Sequence, residues 1–198
     1  SVSISEDIFG HKNVLTLYDG GNPEIARTTQ IFKEGGQESG TIEFWIFVPD
    51  LTGQRYFLIQ DDSGANRIHF WLSWTGEFKY YDGSESITIT DTVLDEWQHL
   101  RIEWNCSENW HLWINNVSQD EGSGYAFEGS PTEMDRIVFQ TNPSLSGYYQ
   151  YVDALGYSWD ENYNIGDNQE KGILLSFENS TNFDGIRYSL DDQTNKTI

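Results

Sequence analysis

Four short segments set rings, imidazoles and charges at every second position. Glu43, Trp45 and Phe47 alternate with Ile42, Phe44, Ile46 and Val48; Arg67, His69, Trp71 and Ser73 alternate with Ile68, Phe70 and Leu72. His99, Arg101 and Glu103 alternate with Leu100, Ile102 and Trp104, and His111, Trp113 and Asn115 with Trp110, Leu112 and Ile114. A period of two puts the two sets on opposite faces of a β-strand. The aliphatic set reads as a core face. An ordinary solvent face carries Lys, Thr and Glu, whereas this one repeats Trp. Trp45, His69, Trp71, Tyr81, Arg101, Glu103, His111 and Trp113 are therefore candidate ligand-binding residues. Aromatic rings stack on the apolar C–H faces of sugars, and charged or amide groups fix the hydroxyls. The competing use of Trp45, Trp71 and Trp113 is a second minor core under a long loop or the C-terminal tail.

Other chemistries find less support. The four His (11, 69, 99 and 111) show no zinc spacing, and a single Cys makes neither a disulfide nor a cysteine zinc site. With 32 Asp+Glu against 11 Lys+Arg the net charge is −21, which repels phosphate backbones and anionic lipid. Nucleic acid and membrane insertion are thus not expected; there is also no long apolar run. An aromatic content of 15% argues against disorder. The acidity itself suits a well-solvated surface, adaptation to salt, or oxygen ligands for a divalent cation. No EF-hand loop is present.

The elements that must carry these residues are strands. Short apolar or alternating runs recur between Gly, Asn, Asp and Ser clusters, at 13–18, 28–32, 41–48, 55–60, 67–74, 77–81, 86–90, 98–104, 110–117, 136–140 and 149–159. Thr75-Gly76 fits a tight hairpin between two of them. The lone helical candidate is a turn near 92–96. About eleven strands before residue 160 favour an all-β, two-sheet antiparallel jelly-roll sandwich over a small barrel.

Four segments in order resemble the concanavalin A-like lectin/glucanase superfamily, in its laminin G-like branch. They are Gly40–Pro49 (GTIEFWIFVP), Glu96–Ile102 (EWQHLRI), Leu112–Asn116 (LWINN) and Tyr151–Tyr157 (YVDALGY). Gln98 stands where that branch more often has His, and Asn115-Asn116 where it has Asp-Gly. The resemblance implies a concanavalin A-like sandwich over residues 1–160. It also implies a binding or adhesion module of a larger surface or secreted protein, recognising a glycan or a protein ligand, or else serving as a spacer. It further implies structural Ca²⁺ joining an N-terminal acidic loop to the last strand, at Glu6, Asp7 and Asp153. Asp153 sits in an apolar run and needs a partner, which backbone N–H groups or an Arg would equally supply. The E-x-D-x-x-E triplet of the related glycosidases is absent, and no catalytic residues are assigned. The alginate-lyase branch is imitated by Arg101-Ile102-Glu103, Arg67-Ile68-His69 and Tyr148–Tyr151, which keeps a uronate lyase as the enzymatic alternative, with His69 or Tyr81 as base beside Arg101.

Residues 161–171 read as a polar linker. The stretch 172–198 opens with a new strand (Gly172–Glu178) and resembles the start of an immunoglobulin-like module; it reads as extra strands or as the beginning of a neighbouring domain. Sequons at Asn105, Asn116, Asn179 and Asn195 are consistent with an extracellular or cell-surface glycoprotein.

Overall fold

The computed structural model describes residues 1–21, 25–33, 35–142 and 147–166, together with the backbone of 187–188 and 196–197. Thirteen strands precede residue 160: β1 (Val2–Ile8), β2 (His11–Asp19), β3 (Arg27–Ile31), β4 (Ser39–Phe47), β5 (Arg55–Gln60), β6 (Asn66–Leu72), β7 (Glu77–Tyr81), β8 (Ser86–Asp91), β9 (Trp97–Asn105), β10 (Trp110–Ile114), β11 (Val117–Ser118), β12 (Arg136–Thr141) and β13 (Tyr148–Tyr157). They form a seven-stranded sheet in the order β1-β2-β13-β4-β9-β10-β11 and a six-stranded sheet in the order β3-β12-β5-β6-β7-β8, with every pairing antiparallel. The all-β jelly-roll sandwich expected from the sequence is the observed fold. No helix occurs among the described residues, including the 92–96 turn, so none is long and apolar enough to cross a membrane.

Two strands go beyond the eleven expected. β1 pairs with β2 through the tight Phe9-Gly10 turn. The run 110–117 breaks at Asn115-Asn116, both with positive φ (50° and 65°), so that β11 folds back on β10. Asn tolerates this left-handed conformation better than most residues, which is why the strand ends there. A last pair, β14 (Arg187–Tyr188) with β15 (Lys196–Thr197), is a short antiparallel ribbon. The strand expected at 172–178 lies outside the described residues, as do 167–171 of the expected linker.

Between the sheets the aliphatic face of each strand is buried as the alternation requires. Ile42, Phe44 and Ile46 of β4, Leu100 and Ile102 of β9 and Leu112 of β10 meet Phe57 and Ile59 of β5, Ile68 and Phe70 of β6 and Phe139 of β12. Phe44 bridges the layers, its ring 5.8 Å from Phe57 and 5.3 Å from Phe139. Fully burying one such side chain contributes about 1.5–3 kcal/mol.

The other face of the seven-stranded sheet is also covered. Val14, Trp45, Phe47 and Trp97 form a second, smaller core. Beside it Glu43 is 0% exposed. The chain beyond β13 accounts for this: the Tyr163 hydroxyl and the Gly166 N–H donate to Glu43 Oε1, and His99 Nε2 stands 3.4 Å from Oε2. Gly156 is where the Tyr163 ring rests, and a Cβ there would run into it. Residues 161–166, expected as linker, thus pack on this sheet.

Burial alone would raise the Glu43 pKa, but the close approach of His99 and the hydrogen bonds from Tyr163 and Gly166 outweigh it and hold the carboxyl below its ordinary 4.5. A depressed carboxyl stabilises the fold above its ordinary pKa, and that contribution is lost as pH falls through the lowered value. Glu43→Gln should therefore cost roughly 1–3 kcal/mol at neutral pH, measured by urea unfolding, and should flatten the decline in stability below about pH 4.5. An unchanged acid limb would show that Glu43 does not clamp the 161–166 segment in its ionised form.

Candidate functional site

The eight candidate residues do not share one face. Trp45, Arg101, Glu103, His111 and Trp113 lie on the outer face of the seven-stranded sheet, whereas His69, Trp71 and Tyr81 lie on the outer face of the six-stranded sheet, across the core. The alternation within each strand is as expected; it is the two sheets that separate the residues.

On the seven-stranded sheet most polar groups are engaged within the protein, though Glu43 Oε2, both His99 ring nitrogens and Arg101 Nε are buried with no hydrogen-bond partner among the described residues. Register places Glu43 opposite Arg101 and Arg101 opposite Trp113, with Trp45 opposite His99 and Glu103 opposite His111. The Arg101 guanidinium lies 4.2 Å from the Trp113 ring centroid and pairs with Glu103 at 3.1 Å. His111 Nδ1 bonds Asp120 Oδ2 at 2.5 Å, and Asp120 Oδ1 also accepts from Ser118 and the Gly122 N–H. Those bonds lower the Asp120 pKa despite the opposing effect of burial. Trp45, 3% exposed, belongs to the smaller core. This is a second core with a paired polar rim.

The six-stranded sheet is arranged differently. A row across its outer face runs from Arg27 (β3) through Gln140 (β12) and Tyr56 (β5) to Trp71 (β6) and Lys79 (β7). A parallel row runs through Thr29, Val138, Leu58 and His69. His69 is the hub of the rings, with centroids 6.0 Å from Tyr56, 5.4 Å from Trp71 and 6.0 Å from Tyr81. Its Nδ1 lies 2.9 Å from Glu128 Oε2, and since a carboxylate only accepts, Nδ1 carries the hydrogen. Glu128 arrives on the long connection before β12, held where its N–H donates to the Arg67 carbonyl at 2.9 Å. Trp71 is 8% exposed, so its ring supports this face from within and offers no open platform.

Next to these rings a cavity of about 600 Å³ opens on the same face. Leu58 gives it an apolar floor, Tyr81 a half-buried ring, and Arg27, Gln60, Asn66, Arg67, Glu128 and Gln140 its polar wall. Arg67 is fixed by Asp61 through Nε (2.8 Å) and Nη2 (2.7 Å), and the Gln60 amide donates to Asn66 Oδ1 at 2.8 Å. Hydrogen bonds from Ser63, Arg67 and the Ala65 N–H lower the Asp61 pKa against its desolvation. Another cavity, of about 760 Å³, lies at the sandwich edge around Phe32, Tyr157 and Trp159. Those three rings pack on one another at 4.8–5.6 Å and on the main core, so their faces are already spent.

Two of the carboxylates expected to join a cation, Asp7 and Asp153, make bonds within the protein. Backbone carbonyl ligands aside, no group of three His, Cys, Asp or Glu side chains converges on one point among the described residues. Asp153 Oδ2 instead meets His11 Nδ1 at 2.8 Å while Oδ1 takes the Ala154 N–H, and Asp7 caps Gly10 in the β1–β2 turn. The suggested lyase grouping is split, because Arg101 lies on the opposite side of the sandwich from His69 and Tyr81. Residues missed in the sequence are Arg27, Tyr56, Gln60, Asn66, Glu128 and Gln140. The alternation Tyr56/Leu58/Gln60 and Arg136/Val138/Gln140 was the available signal for three of them; nothing local marks Glu128.

No family model matches the chain, and no curated protein matches it. Among solved structures it is similar to a sialidase (12% identity, 80% of this chain, 17% of that chain, TM-score 0.67). It is also similar to a botulinum neurotoxin type C structure, whose cell entry depends on interaction with two ganglioside molecules (14%, 79% and 40%, TM-score 0.53). A tetrameric galectin from the ball sponge Cinachyrella sp. matches at 12% identity over 66% of this chain and 98% of its own, with a TM-score of 0.51. The chain thus spans 17% of the sialidase and 40% of the toxin chain. At such identities the likeness is one of fold: the chain is an antiparallel jelly-roll sandwich.

Proposed function

We propose that the protein is a non-catalytic glycan-binding module, laminin G-like in the sense of its four sequence segments, and part of a larger surface or secreted protein. The observation that carries this reading is the cavity on the outer face of the six-stranded sheet. One half-buried ring, an apolar floor, three carboxamides and two guanidiniums converge there on rigid strands. That combination suits a sugar, which offers a C–H face to a ring and hydroxyls to amides. The neighbours named as a galectin and as a ganglioside-dependent toxin support the same class of ligand.

A second reading has one observation in its favour. The His69 Nδ1–Glu128 bond leaves Nε2 as a possible base near Tyr81, the arrangement a uronate lyase uses to abstract a proton. Arg101 is absent from that side, and the remaining acids near the cavity, Asp61 and Glu128, are each held by a basic partner. Incubation with uronate polymers should produce no ultraviolet absorbance of unsaturated product; a steady rise would replace the binding module by an enzyme.

Two substitutions separate support from contact. Trp71→Ala should lower stability by about 3–5 kcal/mol, as expected when a buried Trp is truncated, measured by chemical unfolding. Tyr81→Ala should leave the melting temperature within a few degrees while reducing affinity for array-identified glycans at least about tenfold. A Tyr81→Ala protein that binds as well as the parent would remove the cavity from consideration.

A further inference from the structure

Four of the five arginines with described side chains are paired with a carboxylate: Arg55 with Asp50, Arg67 with Asp61, Arg101 with Glu103 and Arg136 with Asp135. In a chain with 32 acidic and 11 basic residues that is the expected state. Arg27 is the exception. It is exposed, lines the cavity of the six-stranded sheet, and has no ion pair or hydrogen bond from its side chain among the described residues.

We propose that the site takes an acidic saccharide and that Arg27 binds its carboxylate, whether of a uronic acid or of a sialic acid. The inference rests on the glycan-binding reading of the same cavity and specifies the ligand. The other charged groups of the lining are committed: Arg67 to Asp61 and the Glu128 carbonyl, and the Glu128 carboxylate to His69. Arg27 is the lining cation left for a ligand. Its planar fork matches a carboxylate through two parallel N–H···O bonds, which a lysine would not reproduce. Gln140 is its cross-strand neighbour, and Tyr56 comes one strand further, roughly 10 Å from Arg27 at ordinary strand spacing. The acidic group is thereby held at the β3 edge of the site while the rest of the sugar extends toward Leu58, Gln60 and Tyr81. Selection is local: with 32 acidic against 11 basic residues most guanidiniums are already paired, so an acidic ligand is held where one is left unpaired.

The experiment is calorimetric titration of the full chain with a neutral hexose oligosaccharide, its uronate counterpart, a sialyl oligosaccharide and a sulfated oligosaccharide. One of the two carboxylated sugars should bind about tenfold tighter than the neutral one, equivalent to ~1.4 kcal/mol. Arg27→Gln should bring that ratio to about one, and Arg27→Lys should leave an intermediate ratio. Equal affinity for neutral and carboxylated sugars would overturn the Arg27 assignment while leaving the glycan site standing, provided that Tyr81→Ala abolishes both. A preference that survives Arg27→Gln, or one for the sulfated sugar over both carboxylates, would likewise overturn it. No binding to any of the sugars and none on a glycan array would overturn the glycan site itself.

Discussion

A β-strand has two faces, and in a two-sheet sandwich one of them is taken by the core. Everything else in this structure follows from how the remaining face of each strand is used. On β2, β4, β13 and the start of β9 it is covered by a second hydrophobic cluster, and residues 161–166 add bonds to Glu43 of β4. On β5, β6 and β12 it stays partly open and carries the cavity. The same repeat of two therefore yields a structural surface on one sheet and a recognition surface on the other. What separates them is which loop lies on top.

The alternation was legible in the sequence because it is local. Each strand's core residues (Ile42, Phe44 and Ile46; Ile68, Phe70 and Leu72; Leu100 and Ile102) are buried as their spacing demands. The sheet to which a strand belongs is not local. β6 and β9 have the same pattern of His, Arg and apolar residues, yet they lie in different sheets because the chain crosses from one sheet to the other in the short connection between β8 and β9. No single-strand pattern contains that information, so Trp71 and Trp113 read alike and end on opposite sides of the molecule. The same limit applies to Glu128, whose role depends on a long connection bringing it to His69, 59 positions earlier in the chain.

Tryptophan was the loudest signal and the least specific. Trp45 and Trp71 are 3% and 8% exposed although both point away from the main core. A large ring on an outer face either waits for a ligand or is covered by the chain, and covering it gains the hydrophobic free energy without any partner. The smaller ring of Tyr81, at the cavity, keeps exposed surface and an oriented hydroxyl that donates to the Gly83 carbonyl at 3.0 Å. A large ring on an outer face is therefore no sign of ligand contact unless part of it stays exposed.

Charge behaves in the opposite way: its total says little and its exceptions say more. Exposed charges lose most of their influence beyond about 8 Å at physiological salt, so a net −21 spread over a sandwich does not set the potential inside one cavity. The local balance does, and it is fixed by pairing. Asp61 neutralises Arg67, and His69 holds Glu128, whose backbone carbonyl in turn braces Arg67. These bonds keep the cavity wall rigid and spend its charges on the fold. Arg27 sits on the edge strand, where among the described residues β12 is its sole sheet neighbour and no acidic side chain pairs with it. Its freedom follows from the local sequence: the four paired arginines each take a carboxylate within six residues of themselves, Asp50, Asp61, Glu103 and Asp135, whereas no described residue that close to Arg27 is acidic.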